Sequence, residues 1–261
     1  MIHTFVIPVY KQSQYLEQCI QSLLDQTVKS TIVLTTSTPT DFSKQIAEKY
    51  GFEYFINDNG GIANDWNFAL SKASTQWATI AHQDDIYEPD FTDELLRSVK
   101  SDTLIAFTDY DDLVDGEPRK SNLNSFVKKA LLFPFAFKKN IRSKHLKKSV
   151  LIFGDPICCP SVSFNLDSLG GFRFSAKFTV ALDWYAWYEI AAKKGGFCFI
   201  NKKLMKHRIH AESETTLKLS EGKRRQEELQ MFKLIWGAQI ARVFSWIYTL
   251  GYADNKLKAD K

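Results

Sequence analysis

Two adjacent carboxylates, Asp84 and Asp85, stand just beyond the apolar run Trp77-Ala78-Thr79-Ile80-Ala81. Such a run, closed by polar residues and then by Pro89, reads as a short buried strand. The pair therefore emerges at a strand's C-terminal end, where open α/β sheets hold their ligands. Like charges this close repel each other unless something positive sits between them and a ligand. A divalent cation bridging to a diphosphate meets that need, because hard cations prefer carboxylate and phosphate oxygens. A solvated turn or a helix N-cap also accounts for the pair on this stretch alone. Two later segments carry reactive side chains as well. Asp183 directly precedes Trp184-Tyr185-Ala186-Trp187-Tyr188, and Lys206-His207-Arg208-Ile209-His210 holds two histidines. If the latter is extended, Arg208 and His210 share a face.

The elements that must position these residues alternate in type over the first half. Strands are expected at 4–9, 31–35, 53–56, 76–81 and 104–108, and helices at 14–25, 41–50, 64–73 and 89–100. Tyr15, Leu16, Cys19, Ile20, Leu23 and Leu24 have helical spacing. Asp41 is a candidate N-cap, and Gly51 stops its helix. This β-α-β-α order predicts an α/β fold with a mostly parallel sheet and helices on both faces. The second half is less regular. Residues 109–118 read as an acidic turn region, and 121–148 as a basic, aromatic, helical segment broken at Pro134. A helix is expected at 180–193, a strand at 197–205, a polar loop at 207–216, and one long helix or a pair at 221–252.

With 261 residues, 44% hydrophobic and 25% charged, the chain has the composition of a soluble globular protein of one large domain or slightly more. Cys19, Cys158, Cys159 and Cys198 show no metal-binding spacing, which suggests free thiols and a reducing cytoplasm. The start lacks a signal peptide's basic and apolar regions, and no apolar run reaches membrane-spanning length. Charge is divided unevenly. Residues 1–116 carry 7 Lys/Arg against 18 Asp/Glu, and residues 117–261 carry 27 against 12. This asymmetry suggests two functional halves.

Three separated features fall into order: Pro8-Val9-Tyr10 at the end of the first strand, Gln83-Asp84-Asp85-Ile86-Tyr87-Glu88-Pro89, and Leu182-Asp183-Trp184. Between the first two lies Gly61-Ile62-Ala63-Asn64-Asp65-Trp66-Asn67. Over residues 2–215 this order resembles the family 2 glycosyltransferases of the GT-A fold. The resemblance implies a nucleotide-sugar-binding half at 1–115, an acceptor half of the same domain at 116–215, and a C-terminal helical extension at 216–261. Pro8, Val9 and Tyr10 would lie beside the nucleotide, with the Tyr10 ring offering a stacking face. Thr36, Asp65, Asp84 and Arg208 would add nucleotide-sugar contacts. Asp85 and His210 would hold Mn2+ or Mg2+, and Trp184 and Gly171 would face the acceptor. Asp183 would be the general base, taking the acceptor hydroxyl's proton as that hydroxyl attacks the anomeric carbon.

Two positions depart from the family pattern. The second strand ends Thr35-Thr36-Ser37 where an acidic pair is usual, and His82 or Gln83 stands where the first acid of the DxD-type region often lies. The expected reaction is inverting transfer of a hexose from a UDP-sugar to a hydroxyl of a glycan, a glycolipid or a glycoprotein. A catalytically inactive relative that binds a partner or a membrane is the alternative. A nucleotidyltransferase ranks lower, because no glycine-rich loop follows the first strand. The basic segment 119–148 suits a phosphate-bearing acceptor or the inner face of an anionic membrane. No nucleic-acid motif accompanies it. The C-terminal helix is a candidate homodimer element.

Overall fold

A computed structural model describes residues 2–114, 116–119, 123–210 and 222–250. Strand β1 (His3–Val9), helix α1 (Leu16–Leu24), β2 (Thr31–Thr36), α2 (Asp41–Tyr50), β3 (Glu53–Ile56), α3 (Ile62–Ser71) and β4 (Trp77–Ile80) follow in turn. Every residue of β4, and every residue of β1 but the half-buried Pro8, is buried. That is the pattern of parallel strands covered by helices on both faces. β2 pairs in parallel with β1 and β3, and β1 with β4. Phe5, Ile7 and Val9 join one apolar cluster with α1, while Val6 joins the cluster on the other side of the sheet. Helix α2 is capped by Thr40 rather than Asp41. The Thr40 hydroxyl accepts the Ser43 amide at 3.1 Å, and the Ser43 hydroxyl accepts the Thr40 amide. Asp41 instead occupies the first turn, where the helix dipole favours an acid. Gly51 ends the helix at φ +68°, as expected.

The chain continues through β5 (Ile86–Tyr87), α4 (Phe91–Ser98), β6 (Thr103–Val114), β7 (Glu117–Pro118), α5 (Leu123–Leu131), α6 (Pro134–Phe137), β8 (Asn140–Ile141) and α7 (Lys144–Ser149). It then forms β9 (Val162–Asn165), α8 (Leu166–Leu169), α9 (Leu182–Ala191), β10 (Gly196–Ile209), α10 (Lys223–Trp236) and α11 (Ala238–Leu250). The sheet order is β3-β2-β1-β4-β9-β6-β10-β5. β9 runs against both its neighbours, while β6 and β10 pair in parallel. Short β7 and β8 add antiparallel edges to β6 and β10. The result is a mixed α/β fold with a mostly parallel sheet, in which antiparallel β9 parts the parallel block β3-β2-β1-β4 from the parallel pair β6-β10.

Two segments differ from the sequence expectation. Residues 109–114 are not a turn, and residues 207–209 are not a loop. β6 and β10 run on together, with Lys203 opposite Asp109, Lys206 opposite Asp111 and His207 opposite Asp112. Acids on one strand meet bases on the other, so each polar tail is stable as a strand only beside its partner. Residues 211–221, within the expected polar loop and the start of the extension, lie outside the described residues, as do residues 251–261. The long C-terminal helix is two helices, parted at Gly237. Asn67 ties the early and late parts of the chain together. Its amide donates to the Phe174 carbonyl at 2.9 Å and accepts the Phe174 amide at 2.7 Å.

Candidate active site

Strand β4 leads into the turn 82–85, and β5 returns antiparallel against Met205 and Lys206 of β10. The acidic turn and the end of β10 therefore meet. Asp85 is 1% exposed, and its Oδ1 accepts the Arg208 amide at 2.8 Å. Asp84 Oδ2 lies 2.9 Å from His210 Nε2. The Arg208 guanidinium donates to the Asp84 carbonyl at 2.9 Å and to Gln18 Oε1 at 2.7 Å, and it lies 4.2 Å from the Tyr15 ring centre. His207 Nδ1 stands 3.1 Å from Asp112 Oδ1. Four residues expected from sequence (Asp84, Asp85, Arg208 and His210) thus converge.

The electrostatics divide the two acids. Burial pushes Asp85 up to about 8, with Asp84 adding to the shift and His207 and Arg208 opposing it. Burial would raise Asp84 too, but its bond with His210 and the nearby His82 and His207 hold it below the ordinary carboxylate value. Burial lowers His82 to about 4, so its imidazole is neutral near pH 7 and keeps a lone pair. One ligand atom each from His82, Asp84 and Asp85 lies within 4.8 Å of the other two. His82 Nε2 and Asp85 Oδ2 are buried without a hydrogen-bond partner. Leaving such atoms unsatisfied is costly. A carboxylate-dominated set with two open ligand atoms fits Mn2+ or Mg2+. His82 is the residue that the sequence reading passed over, because it occupies a position where an acid is usual. His210, expected as a ligand beside Asp85, is hydrogen-bonded to Asp84 and is not one of the three.

Most of the residues expected to face the donor stand at or near the ends of β1 and β2. Tyr10 is 52% exposed, and its backbone is clasped by Gln83, which accepts the Tyr10 amide at 3.1 Å and donates to its carbonyl at 3.2 Å. This places the exposed ring beside the acidic turn. Pro8 and Val9 sit opposite Thr35 and Thr36 in the sheet, and Val9 is 2% exposed, so its side chain belongs to the core. Thr36 is also 2% exposed, and its hydroxyl accepts the Thr38 amide at 3.0 Å. It shapes the loop rather than facing a ligand. Asp65 is held by the Asn57 amide at 2.8 Å and the Ser37 hydroxyl at 3.0 Å. Neither partner was singled out from sequence.

Asp183 lies in the first turn of α9, half-buried, with Oδ1 accepting the Trp184 amide at 2.8 Å. Burial raises its pKa. Asp155, whose pKa burial and the Asp183 charge raise further, is a second acid beside it. Cys158 is half-buried and Cys159 buried near this region, and the charges of both Asp85 and Asp183 act on them. Lys128 donates to the Tyr110 hydroxyl at 2.6 Å, and its charge reaches Asp183, Asp155 and Asp112. Trp184 corrects the sequence expectation. It is 2% exposed, and its Nε1 donates to the Leu151 carbonyl at 2.9 Å, so it is core and offers no face to an acceptor. Gly171 lines a surface pocket with Arg173, Ser175, Tyr185, Glu189 and Lys193.

Known proteins align with this arrangement. Residues 4–166 match the family model for glycosyl transferase family 2. An uncharacterized glycosyltransferase of Rickettsia typhi is 26% identical over 247 residues, covering 92% of this chain and 72% of its own length. Among solved structures, S. aureus TarS in complex with UDP-GlcNAc superposes with a TM-score of 0.61 at 16% identity, over 83% of this chain and 61% of that one. The mannosyltransferase PcManGT from Pyrobaculum calidifontis, in complex with GDP-Man and Mn2+, superposes with a TM-score of 0.63 at 12% identity, over 98% of this chain and 76% of that one. At such identities the structural likeness speaks for the fold alone.

Proposed function

The chain belongs to glycosyl transferase family 2 and is a glycosyltransferase; from that premise we propose that it transfers a hexose from a UDP-sugar to a saccharide hydroxyl, with inversion and with the help of a divalent cation. The observation that carries this reading is the cluster of half-buried His82 and Asp84 with buried Asp85, in which His82 Nε2 and Asp85 Oδ2 lack a hydrogen-bond partner. These three residues would hold Mn2+ or Mg2+, which when bound acts as a Lewis acid on diphosphate oxygens. Arg208, pinned by Gln18 and Tyr15, keeps the Asp84-Asp85 backbone in place and adds positive charge to the cleft. Tyr10 offers a ring to the base, and Asp65 lies on the same rim, held by Asn57 and Ser37.

On the other side, Asp183 takes the acceptor proton. A half-buried carboxylate with a raised pKa is a better base near neutral pH than an exposed one. Inversion follows if the acceptor oxygen attacks directly from the side opposite the departing diphosphate. Residues 1–115 then serve the donor, and 116–215 serve the acceptor and supply the base. The acceptor is a glycan, a glycolipid or a glycoprotein. A lipid-linked one gains support from α5 and α6. Phe126, Phe133 and Phe137 are 71%, 61% and 75% exposed there, and no acid interrupts residues 118–154. Such a face suits an anionic bilayer. Among the described residues no helix is long and apolar enough to cross a membrane. Sedimentation with phosphatidylglycerol vesicles, lost in the Phe133→Ser/Phe137→Ser variant, is expected; wild-type binding by that variant would refute the membrane contact.

The reading as a whole is tested by UDP release. A panel of UDP-sugars with Mn2+ and saccharide acceptors should give release that EDTA abolishes and that Mn2+ restores. Absence of release across donors and acceptors, with the metal bound, would favour a binding subunit instead.

A further inference from the structure

The helix that carries Asp183 begins without a cap of its own. Ala181 stands at the N-cap of α9 and has no side-chain acceptor to offer. The amides at and just before a helix start need partners from elsewhere. Those of residues 179–181 find one in α10, which lies beyond the matched residues 4–166. Glu227 Oε2 accepts the amides of Thr179 at 2.9 Å, Val180 at 2.7 Å and Ala181 at 3.0 Å, and Oε1 also takes the Thr179 amide at 3.1 Å. Glu227 is 7% exposed. Hydrogen bonds to an ionised acceptor are about twice as strong as neutral ones. Three convergent amides also fix the carboxylate's direction. Arg224 and Glu228, one turn apart on the same helix, are joined at 3.0 Å, and both charges reach Asp183. Below them the Phe232 ring packs edge-on against Trp184, the residue after Asp183, with centres 5.1 Å apart.

We propose that Glu227 is a positioning residue for sugar transfer, so that the C-terminal helix α10 is part of the active site. It clamps the backbone at 179–181 and thereby sets the direction in which Asp183 presents its carboxylate to the acceptor. This rests on Asp183 as the base. A displaced base loses rate while donor binding, which depends on β1 and the 82–85 turn, is untouched.

Glu227→Gln tests it, since the amide keeps the shape but turns an NH2 group toward donors. Glu227→Asp is the second variant, with the charge kept and the reach shortened. Both should lower kcat roughly ten- to a hundredfold, the scale of a misplaced catalytic group. The KM for the UDP-sugar and the affinity for UDP with Mn2+ should stay at wild-type values. Hydrogen exchange at the amides of Thr179, Val180 and Ala181 should accelerate in both. In an Asp183→Asn background, Glu227→Gln should add no further loss, because the two act as a unit. Faster exchange with wild-type kcat would overturn the proposal, as would a loss of kcat in proportion to lost UDP binding. Undiminished turnover by Asp183→Asn alone would instead remove the base assignment, and with it this role for Glu227. The exchange data would still report whether the clamp exists.

Discussion

Asp85 is buried and Asp183 half-buried, and burial raises the pKa of each, yet their neighbourhoods differ. Asp85 lies among His82, His207 and Arg208, with one oxygen bonded and the other open. Asp183 lies beside Asp155 and within reach of the Arg224 and Lys128 charges, with α10 bracing the backbone just ahead of it. A cation would complete the first arrangement. In the second, burial outweighs the two basic charges and favours taking up a proton. Two aspartates whose pKa burial raises are thereby fitted for different tasks by what surrounds them.

The largest expected effect comes from separating these tasks. Asp183→Asn should lower kcat by about 10² to 10⁴, the usual worth of a positioned base. Affinity for UDP and Mn2+ should be retained, as isothermal titration can measure. Parallel loss of binding and turnover would make the comparison void. The acid limb of the pH profile sharpens it. Asp183 must be ionised to act, and its raised pKa means that kcat falls with decreasing pH at values above the ordinary carboxylate range. A limb at the usual position for an exposed carboxylate would place the base elsewhere.

A smaller effect tests the sheet that supports both sites. His3 is 1% exposed, bonded to Ser30 Oγ at 2.9 Å and Thr79 Oγ1 at 2.8 Å, and burial lowers its pKa to about 3. The folded state therefore stays neutral at His3 where the unfolded chain, with an ordinary value near 6.5, takes up a proton. Stability is complete above that value and is lost as pH falls toward 3. By pH 5 the loss is about 2 kcal/mol from this residue, at 1.36 kcal/mol per pH unit. Denaturant titration of His3→Gln should show a weaker pH dependence than wild type over that window. Smallest is Thr40→Ala, which removes the α2 cap and should cost about 1 kcal/mol without altering kcat.

The same contrast explains what could be read from sequence. In the first half most elements announce themselves locally, short β5 excepted. Helix 41–50 has its glycine stop, though Thr40 and not the expected Asp41 caps it, and β1 and β4 are mostly apolar runs. Asp84 and Asp85 stand where such a strand must end. In the second half the signals lie in partners far apart in sequence. Asp111 and Asp112 look like a turn until Lys203, Lys206 and His207 are set beside their strand. Trp184 looks like a sugar platform until Leu151 and Phe232 enclose it. His82 was legible as a residue but not as a ligand, because only the folded turn brings its ring to Asp85. Glu227 gave no local sign, since the amides it holds are more than 40 residues away in sequence.

The claim on which the rest depends is that the 82–85 turn holds a divalent cation with the donor. Manganese binding in the presence of UDP, followed by electron paramagnetic resonance on wild type, Asp85→Asn and Asp183→Asn, tests it most directly. The account predicts one bound Mn2+ in wild type and in Asp183→Asn, and none in Asp85→Asn. Equal Mn2+ binding by all three proteins would contradict it.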